Sequence, residues 1–425
     1  MSEPEATITE ESGEESSSRV EMTSDQALER LQRGQAVENA KISRLRLRGT
    51  FTKPVKFRNC MLTRPEFDGA TFEENVTIDR CTVDRPHFNR KNHFKKDLDL
   101  GGSTILKAVI REITVGGTFK CMNMNAKGKF HLLHSRFEGK VFFWEAYFDC
   151  WMEYKDCVFV GEADFRSMHV DQGLVFRKCH FQGDFLLRGA LVAKKLDFEH
   201  SRFDKMIDLS KAKLHDFIYM EGIEQGPEQK FAFWNALAER ILIRPEQIEG
   251  RLASECKDEC AYAMQEYGLL KRCFENLHRF DYEDWAFYRF KVNQRRGCNR
   301  SWKKPWTKVG QFFNWLLLDL GCGYGTNPLR AVWASLVIII TFGLIYMTDI
   351  SALNVEKTPF PGDQDTTTNT IMIGILTSVS VFTSGMAGIR DLAQGWMNVP
   401  LIIESLLGTL LFGLFIVAFS RKVIR

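Results

Sequence analysis

The chain has 425 residues, 44% of them hydrophobic, and its 57 Lys and Arg against 54 Asp and Glu give a formal charge of +3. That length holds two or three domains, and so small a net charge argues against a nucleic-acid-binding protein. Eleven Cys, an odd number without metal-ligand spacing, fit a reducing compartment. Cys256 and Cys260 would share one face of a helix, but with no second pair nearby they do not make a zinc site.

Residues 1–22 carry seven Glu, one Arg and many Ser. So few apolar groups cannot offset the entropy of ordering, and 1–40 is expected to be a disordered acidic tail. The tail has neither the basic start nor the apolar run of a secretory signal, which leaves everything before the first membrane span on the cytoplasmic side.

From Arg48 to Glu221 the chain repeats every eleven residues. RGTFTKPVKFR and GATFEENVTID open the series, and HSRFEGKVFFW, EAYFDCWMEYK, DCVFVGEADFR, SMHVDQGLVFR, KCHFQGDFLLR, GALVAKKLDFE, HSRFDKMIDLS and KAKLHDFIYME follow one another without a slip. The second position is mostly small and the fourth, eighth and tenth mostly apolar. Residues two apart share a face of a strand, so each unit supplies two very short strands with a turn after each. Two units would close one four-sided coil. About sixteen units then make about eight coils, roughly 38 Å of parallel β-helix at about 4.8 Å per coil.

This repeat resembles the pentapeptide-repeat family, with a solenoid placed at 41–221. Cys60, Cys81, Cys157 and Cys179 occupy the small second position and are expected to fill the core. Some relatives of that kind mimic DNA through an acidic surface, but residues 48–221 carry 29 Lys plus Arg against 24 Asp plus Glu.

The periodicity turns helical from Gly226 to Arg296, as in DECAYAMQEYGLLKRCFENLHRF and YEDWAFYRFKVNQRR, which predicts a connector over 222–300. Tyr267, Phe274, Trp285, Phe287 and Phe290 are expected in its core or at a partner interface. Trp306 to Leu320, WTKVGQFFNWLLLDL, pairs Trp and basic residues with an apolar face and suits an interfacial helix, followed by a turn, over 301–328.

Leu329 to Met347 and Pro400 to Phe419 are each about 20 residues, enough to cross a hydrocarbon core of about 30 Å. Arg295, Arg296, Arg300, Lys303, Lys304 and Lys308 precede the first, and Arg421, Lys422 and Arg425 follow the second. The segment between, 348–369, holds Asp349, Glu356, Asp363 and Asp365 against one Lys. Both termini are therefore expected to be cytoplasmic in a multi-pass inner-membrane protein, with anionic lipids near Arg295–Lys308.

Two stretches invite comparison with ion filters. GCGYG, Gly321 to Gly325, falls on the cytoplasmic side of the first span, where a filter cannot lie, and reads as a tight turn with Pro328 opening the next helix. TIMIGILTSVSVF, Thr370 to Phe382, is too short to span at 13 residues and reads as re-entrant. It runs into TSGMAG, Thr383 to Gly388.

Span, short helix, loop and span over 329–425 resemble the two-helix pore of potassium-channel-like proteins, and most of the chain resembles pentapeptide-repeat ion-channel proteins. The resemblance implies an ion filter of Thr383, Ser384, Gly385, Met386, Ala387 and Gly388, and a permeant monovalent cation as the only ligand. It implies Glu404 as filter support, Ser380 in the pore helix, and Gly408 and Gly413 as hinges. One filter loop per chain implies a homotetramer. Against Thr-Val-Gly-Tyr-Gly, Met386 stands where Tyr would be and Ala387 where Gly would be, which points to weak or non-selective conduction. The alternative is a non-conducting, membrane-anchored scaffold whose β-helix docks a cytoplasmic protein. No nucleophile and base pattern suggests an enzyme.

Overall fold

The computed structural model falls into two compact units, Met1–Tyr282 and Glu283–Arg425. It describes residues 19–298, 310, 312, 314–353, 367–384 and 393–423.

The first unit is a parallel β-solenoid. Strands pair in register with the coil before, Phe137 with Phe159, Phe159 with Phe181 and Phe181 with Phe203. Each coil therefore advances 22 residues, two of the eleven-residue units. Four short strand segments fall in one such coil, for example Arg136–Phe137, Val141–Phe142, Tyr147–Asp149 and Met152–Lys155. One sheet collects a single strand per coil and has ten, so the solenoid is about two coils longer than the repeat predicts.

The repeat positions explain the core. Across the regular block, second-position residues (Ser135 to Ala212), fourth (Phe137 to Leu214), eighth (Val141 to Ile218) and tenth (Phe143 to Met220) are all buried. The fourth-position rings stack coil on coil, Phe137, Phe159, Phe181 and Phe203 having successive centroids 5.2, 4.6 and 4.7 Å apart. The first position takes the left-handed conformation in every unit from His134 to Lys211 (φ 51 to 71°), turning the chain at a fixed corner. Only Gly189 among these is a glycine. The strain is held by coil-to-coil bonds, such as His134 N–H to the Lys155 carbonyl at 2.8 Å.

Two columns inside the solenoid do not show in the apolar pattern. Second-position side chains accept a hydrogen bond from the coil below: Ser103 Oγ from Cys81 N–H (3.0 Å), Ser201 Oγ from Cys179 N–H (3.1 Å) and Cys81 Sγ from Cys60 N–H (3.2 Å). Cys81 is thus a buried acceptor as well as a filler, while the Cys60 and Cys179 thiols donate to the Val37 and Tyr154 carbonyls. At the sixth position of alternate units stand Gly117, Gly139, Gly161 and Gly183. A Cβ on Gly139, Gly161 or Gly183 would come within 2.2 to 2.5 Å of the glycine carbonyl 22 residues earlier, so the column admits only glycine.

Both ends of the solenoid depart from the sequence reading. Within the span expected as a tail, residues 19–40 are folded: Val20–Glu21 pairs with Ala40–Ser43, and helix α1, Ser24–Gln32, buries Ala27 and Leu31. Thr23 caps α1, its hydroxyl accepting from Gln26 N–H while Gln26 returns a bond to Thr23 N–H. The acidic segment 1–18 lies outside the described residues. At the other end 224–242 are strands, not helix: Glu224–Gln225, Lys230–Ala232 and Leu237–Leu242 continue the ladders.

Helices begin only with α2, Pro245–Ile248, then α3, Ala253–Cys256, and α4, Cys260–Asn276. Cys256 and Cys260 stand on different helices rather than on one face. α4 lies along Leu237–Leu242 and buries Tyr267, Leu270 and Phe274. Its Glu266 is 1% exposed, accepting from Phe233 N–H at 2.7 Å and from the Ser254 hydroxyl. Burial pushes that carboxyl up to about 7, against the opposing pull of these hydrogen bonds.

The second unit takes up most of α5, Phe280–Cys298. It continues with a π-helical segment Asn314–Leu320, α6 (Pro328–Tyr346), α7 (Thr367–Ser384) and α8 (Asn398–Val423). Residues 299–309, most of the predicted interfacial helix before Asn314, lie outside the described residues. α6 and α8 are each long and apolar enough to cross a membrane. Their outward faces leave Trp333, Val337, Ile340, Phe412 and Val417 more than half exposed, against what water would favour.

Candidate functional site

The site is built where α6, α7 and α8 pack together. Small residues set their spacing. A Cβ on Gly374 of α7 would lie 2.7 Å from the Gly343 carbonyl of α6, and one on Gly408 of α8 would lie 2.5 Å from the Phe382 carbonyl of α7. Gly408 is therefore a close packing contact within the continuous α8. Gly413 has open space about its Cβ direction and also lies within the unbroken α8.

These contacts fix the course of α7. Gly374 meets Gly343 and Met347 at the end of α6, while Phe382 meets Gly408, about 15 Å along α8 from Asn398 at 1.5 Å per residue. α7 therefore runs alongside α8 and ends near the middle of it. The chain is back at the start of α8 by Ala393, which bridges Leu353 in antiparallel fashion, and Gln394 N–H donates to the Ala352 carbonyl at 2.8 Å. Tyr346, Leu353, Val381, Ala393, Met397 and Leu401 close this end as one buried apolar cluster.

α7 is 18 residues long, longer than the 13 predicted. Its added first turn is Thr367, Thr368 and Asn369, which lacks the apolar residues that mark a helix in sequence.

Glu404 sits at the centre, with no exposed surface. Tyr346 of α6 donates its hydroxyl to Glu404 Oε2 at 2.5 Å, and Ser378 of α7 is hydrogen-bonded to Glu404 Oε1. Ser378 Oγ is also 2.8 Å from the Ile339 carbonyl. One carboxyl thus ties both neighbouring helices to α8, where an unpaired charge would be costly in an apolar surround. The sequence reading gave Glu404 as filter support; its partners here are the side chains of Tyr346 and Ser378, neither of which was singled out. Both could have been found as polar groups within apolar helices.

Of the predicted filter, Thr383 and Ser384 close α7, and the Thr383 hydroxyl donates back to the Val379 carbonyl at 2.7 Å. Gly385, Met386, Ala387 and Gly388 lie outside the described residues. Ser380 is part-buried on α7, and its carbonyl is 3.3 Å from the Thr383 hydroxyl. The GCGYG stretch is the tight turn expected: Gly323, Tyr324 and Gly325 are all left-handed (φ 56, 54 and 80°). Asn327 then caps α6 by accepting from Leu329 N–H, with Pro328 in the first position.

α5 grips the opposite ends of α6 and α8. Asp319, just before the turn, accepts from the Tyr288 hydroxyl at 2.8 Å and pairs with Arg295. Arg330 of α6 lies over the Tyr288 ring at 5.0 Å. Arg421, at the end of α8, pairs with Asp284 at 3.1 Å and Glu283 at 3.4 Å and covers the Phe287 ring.

The chain matches none of the protein-family models, curated proteins or solved structures with which it was compared.

Proposed function

We propose that the chain is a subunit of a cation channel in the cytoplasmic membrane. α6 and α8 are its two spans, and α7 is a re-entrant pore helix delivering the loop that follows Thr383. The carrying observation is the course of α7. It runs beside α8 from the end where Leu353 and Ala393 meet and stops about halfway along, whereas Ala393 is again at the starting end. Irregular backbone at mid-membrane depth is tolerated only against protein or a water-filled path, and that is where ions are coordinated by backbone carbonyls. Glu404, through Ser378, holds the helix that aims this loop.

Asp349 lies beyond one end of α6, and Arg421 and Lys422 close α8 at the other. On the positive-inside rule the loop side faces outward and both termini inward. One loop per chain calls for about four copies around the ion path. The solenoid would form a four-sided cytoplasmic column. Met386 and Ala387 favour a weakly selective path.

A membrane-anchored scaffold is the second reading, favoured by Trp144, Tyr147 and Trp151, which stand 46, 38 and 46% exposed on the solenoid. Replacing Gly385 by Trp separates the two. Purified protein in planar bilayers should lose its currents while keeping its membrane insertion and solenoid fold. Wild-type protein that stays silent under all ionic conditions would leave the scaffold.

A further inference from the structure

Two cavities in the second unit adjoin one another. The first, of about 720 Å³, is walled by Lys291, Gln294 and Arg295 of α5, Asn314 of the π-helical segment and Tyr324 of the turn. The second, of about 570 Å³, is an apolar groove between that segment and α8, walled by Leu317, Leu410 and Gly413. Asn314, Leu318, Leu414 and Val417 line both, so the groove adjoins the first cavity, a cup whose few charged and polar groups are set in a mostly apolar wall. Val417 and Leu410 are 62 and 44% exposed on the outer face of α8, where that groove meets the surroundings of the span. A Cβ on Gly413 meets nothing within 4 Å, and this missing side chain gives the groove its depth.

The charge in the cup is unbalanced. Arg295 is answered by Asp319. Lys291 faces only the Gln294 side-chain oxygen at 3.1 Å and the Phe287 and Phe290 rings at 5.7 and 5.8 Å, and it enters no ion pair among the described residues. An apolar slot that ends in one uncompensated ammonium beside amide and phenol groups has the form of an amphiphile with an acyl chain and an anionic head. It lies toward the end of α8 that carries Arg421 and Lys422, the end of a span where anionic headgroups gather.

We propose that this double cavity is a binding site for an anionic glycerophospholipid. One acyl chain lies in the groove over Gly413, and the phosphate is held by Lys291 with Gln294, Asn314 and the Tyr324 hydroxyl. The site joins α5, the elbow before α6 and the far half of α8, so an occupied site braces the three against each other. The proposal rests on the reading of α6 and α8 as membrane spans but not on conduction.

The test uses the full chain purified in dodecyl maltoside, titrated with phosphatidylglycerol, with phosphatidylcholine of the same chains, or with soluble glycerol phosphate. Bound lipid is counted by native mass spectrometry and thermal unfolding is followed by tryptophan fluorescence. Phosphatidylglycerol should be retained about tenfold better than phosphatidylcholine, whose phosphate charge is cancelled by its own choline cation beside Lys291, and should raise the melting temperature. Glycerol phosphate should do neither. Lys291→Glu should abolish the preference while Lys291→Arg keeps it, and Gly413→Leu should weaken retention of both lipids, with circular dichroism showing each variant folded.

Equal retention of the two lipids by the wild type, a melting shift reproduced by glycerol phosphate, or variants that bind like the wild type would overturn the proposal. Alkaline carbonate extraction separates the underlying reading. A chain washed from membranes refutes the spans themselves, whereas one that stays without lipid preference refutes this site alone.

Discussion

Removing the Glu404 side chain tests the central packing directly. In Glu404→Ala the Tyr346 hydroxyl loses its acceptor inside a fully buried site, a cost of about 1–3 kcal/mol for an orphaned polar group. The void left by the side chain adds about 2 kcal/mol. Ser378 retains the Ile339 carbonyl, so its hydroxyl is not orphaned. The sum is about 3–5 kcal/mol, or roughly 10 °C in melting temperature for a unit of this size.

Glu404→Gln is the control. Its amide oxygen can accept from Tyr346 and its NH2 can donate to Ser378, so the loss should stay below about 1 kcal/mol. Thermal unfolding of the detergent-solubilised chain, with a double-mutant cycle of Glu404→Gln and Tyr346→Phe, reads both numbers. An alanine variant as stable as the wild type, or a glutamine variant as damaged as the alanine one, would refute the tie between the three helices.

Three further outcomes are expected. Gly161→Ala would place a methyl 2.5 Å from the Gly139 carbonyl and should destabilise the solenoid by at least about 2 kcal/mol, whereas alanine at Gly49, where nothing lies within 4 Å, costs only its left-handed conformation; urea unfolding compares the two. Gly408→Val forces α7 off α8 and should abolish currents while leaving solenoid unfolding unchanged. Glu266, with a folded value of about 7 against the usual 4.5, is favoured protonated in the fold. Its contribution is thus complete below about pH 4.5 and is lost as pH rises to about 7, up to about 3 kcal/mol. Glu266→Gln should flatten the fall in stability between those pH values, and an unchanged slope would place that titration elsewhere.

The eleven-residue period was legible because each unit buries the same four positions and the coil length stays at 22 for most of the solenoid. Its ends were not. Near the N-terminus the coils shorten, Lys41 pairing with Met61, and near the C-terminus they lengthen, Met206 pairing with Lys230, so an alignment at fixed spacing loses both. The acidic composition of 1–22 hid the folded start of the chain, because α1 needs only Ala27 and Leu31 against the first coil. The glycine column and the left-handed corners carry no hydrophobic signal at all.

The two long apolar helices and the GCGYG turn were readable from composition and from Gly and Pro placement. That Tyr346 and Ser378 meet Glu404 was not, although both stand out as polar groups in apolar helices, since they lie 58 and 26 residues away in sequence. That contact exists only once three helices pack.

The most direct test of conduction is the reversal potential of purified protein in a planar bilayer with potassium on one side and sodium on the other. A weakly selective cation path gives clear openings that reverse near zero and block when a bulky cation replaces both ions. Reversal at the potassium equilibrium potential would contradict weak selectivity, and the absence of any opening in protein shown to be inserted and folded would contradict the channel itself.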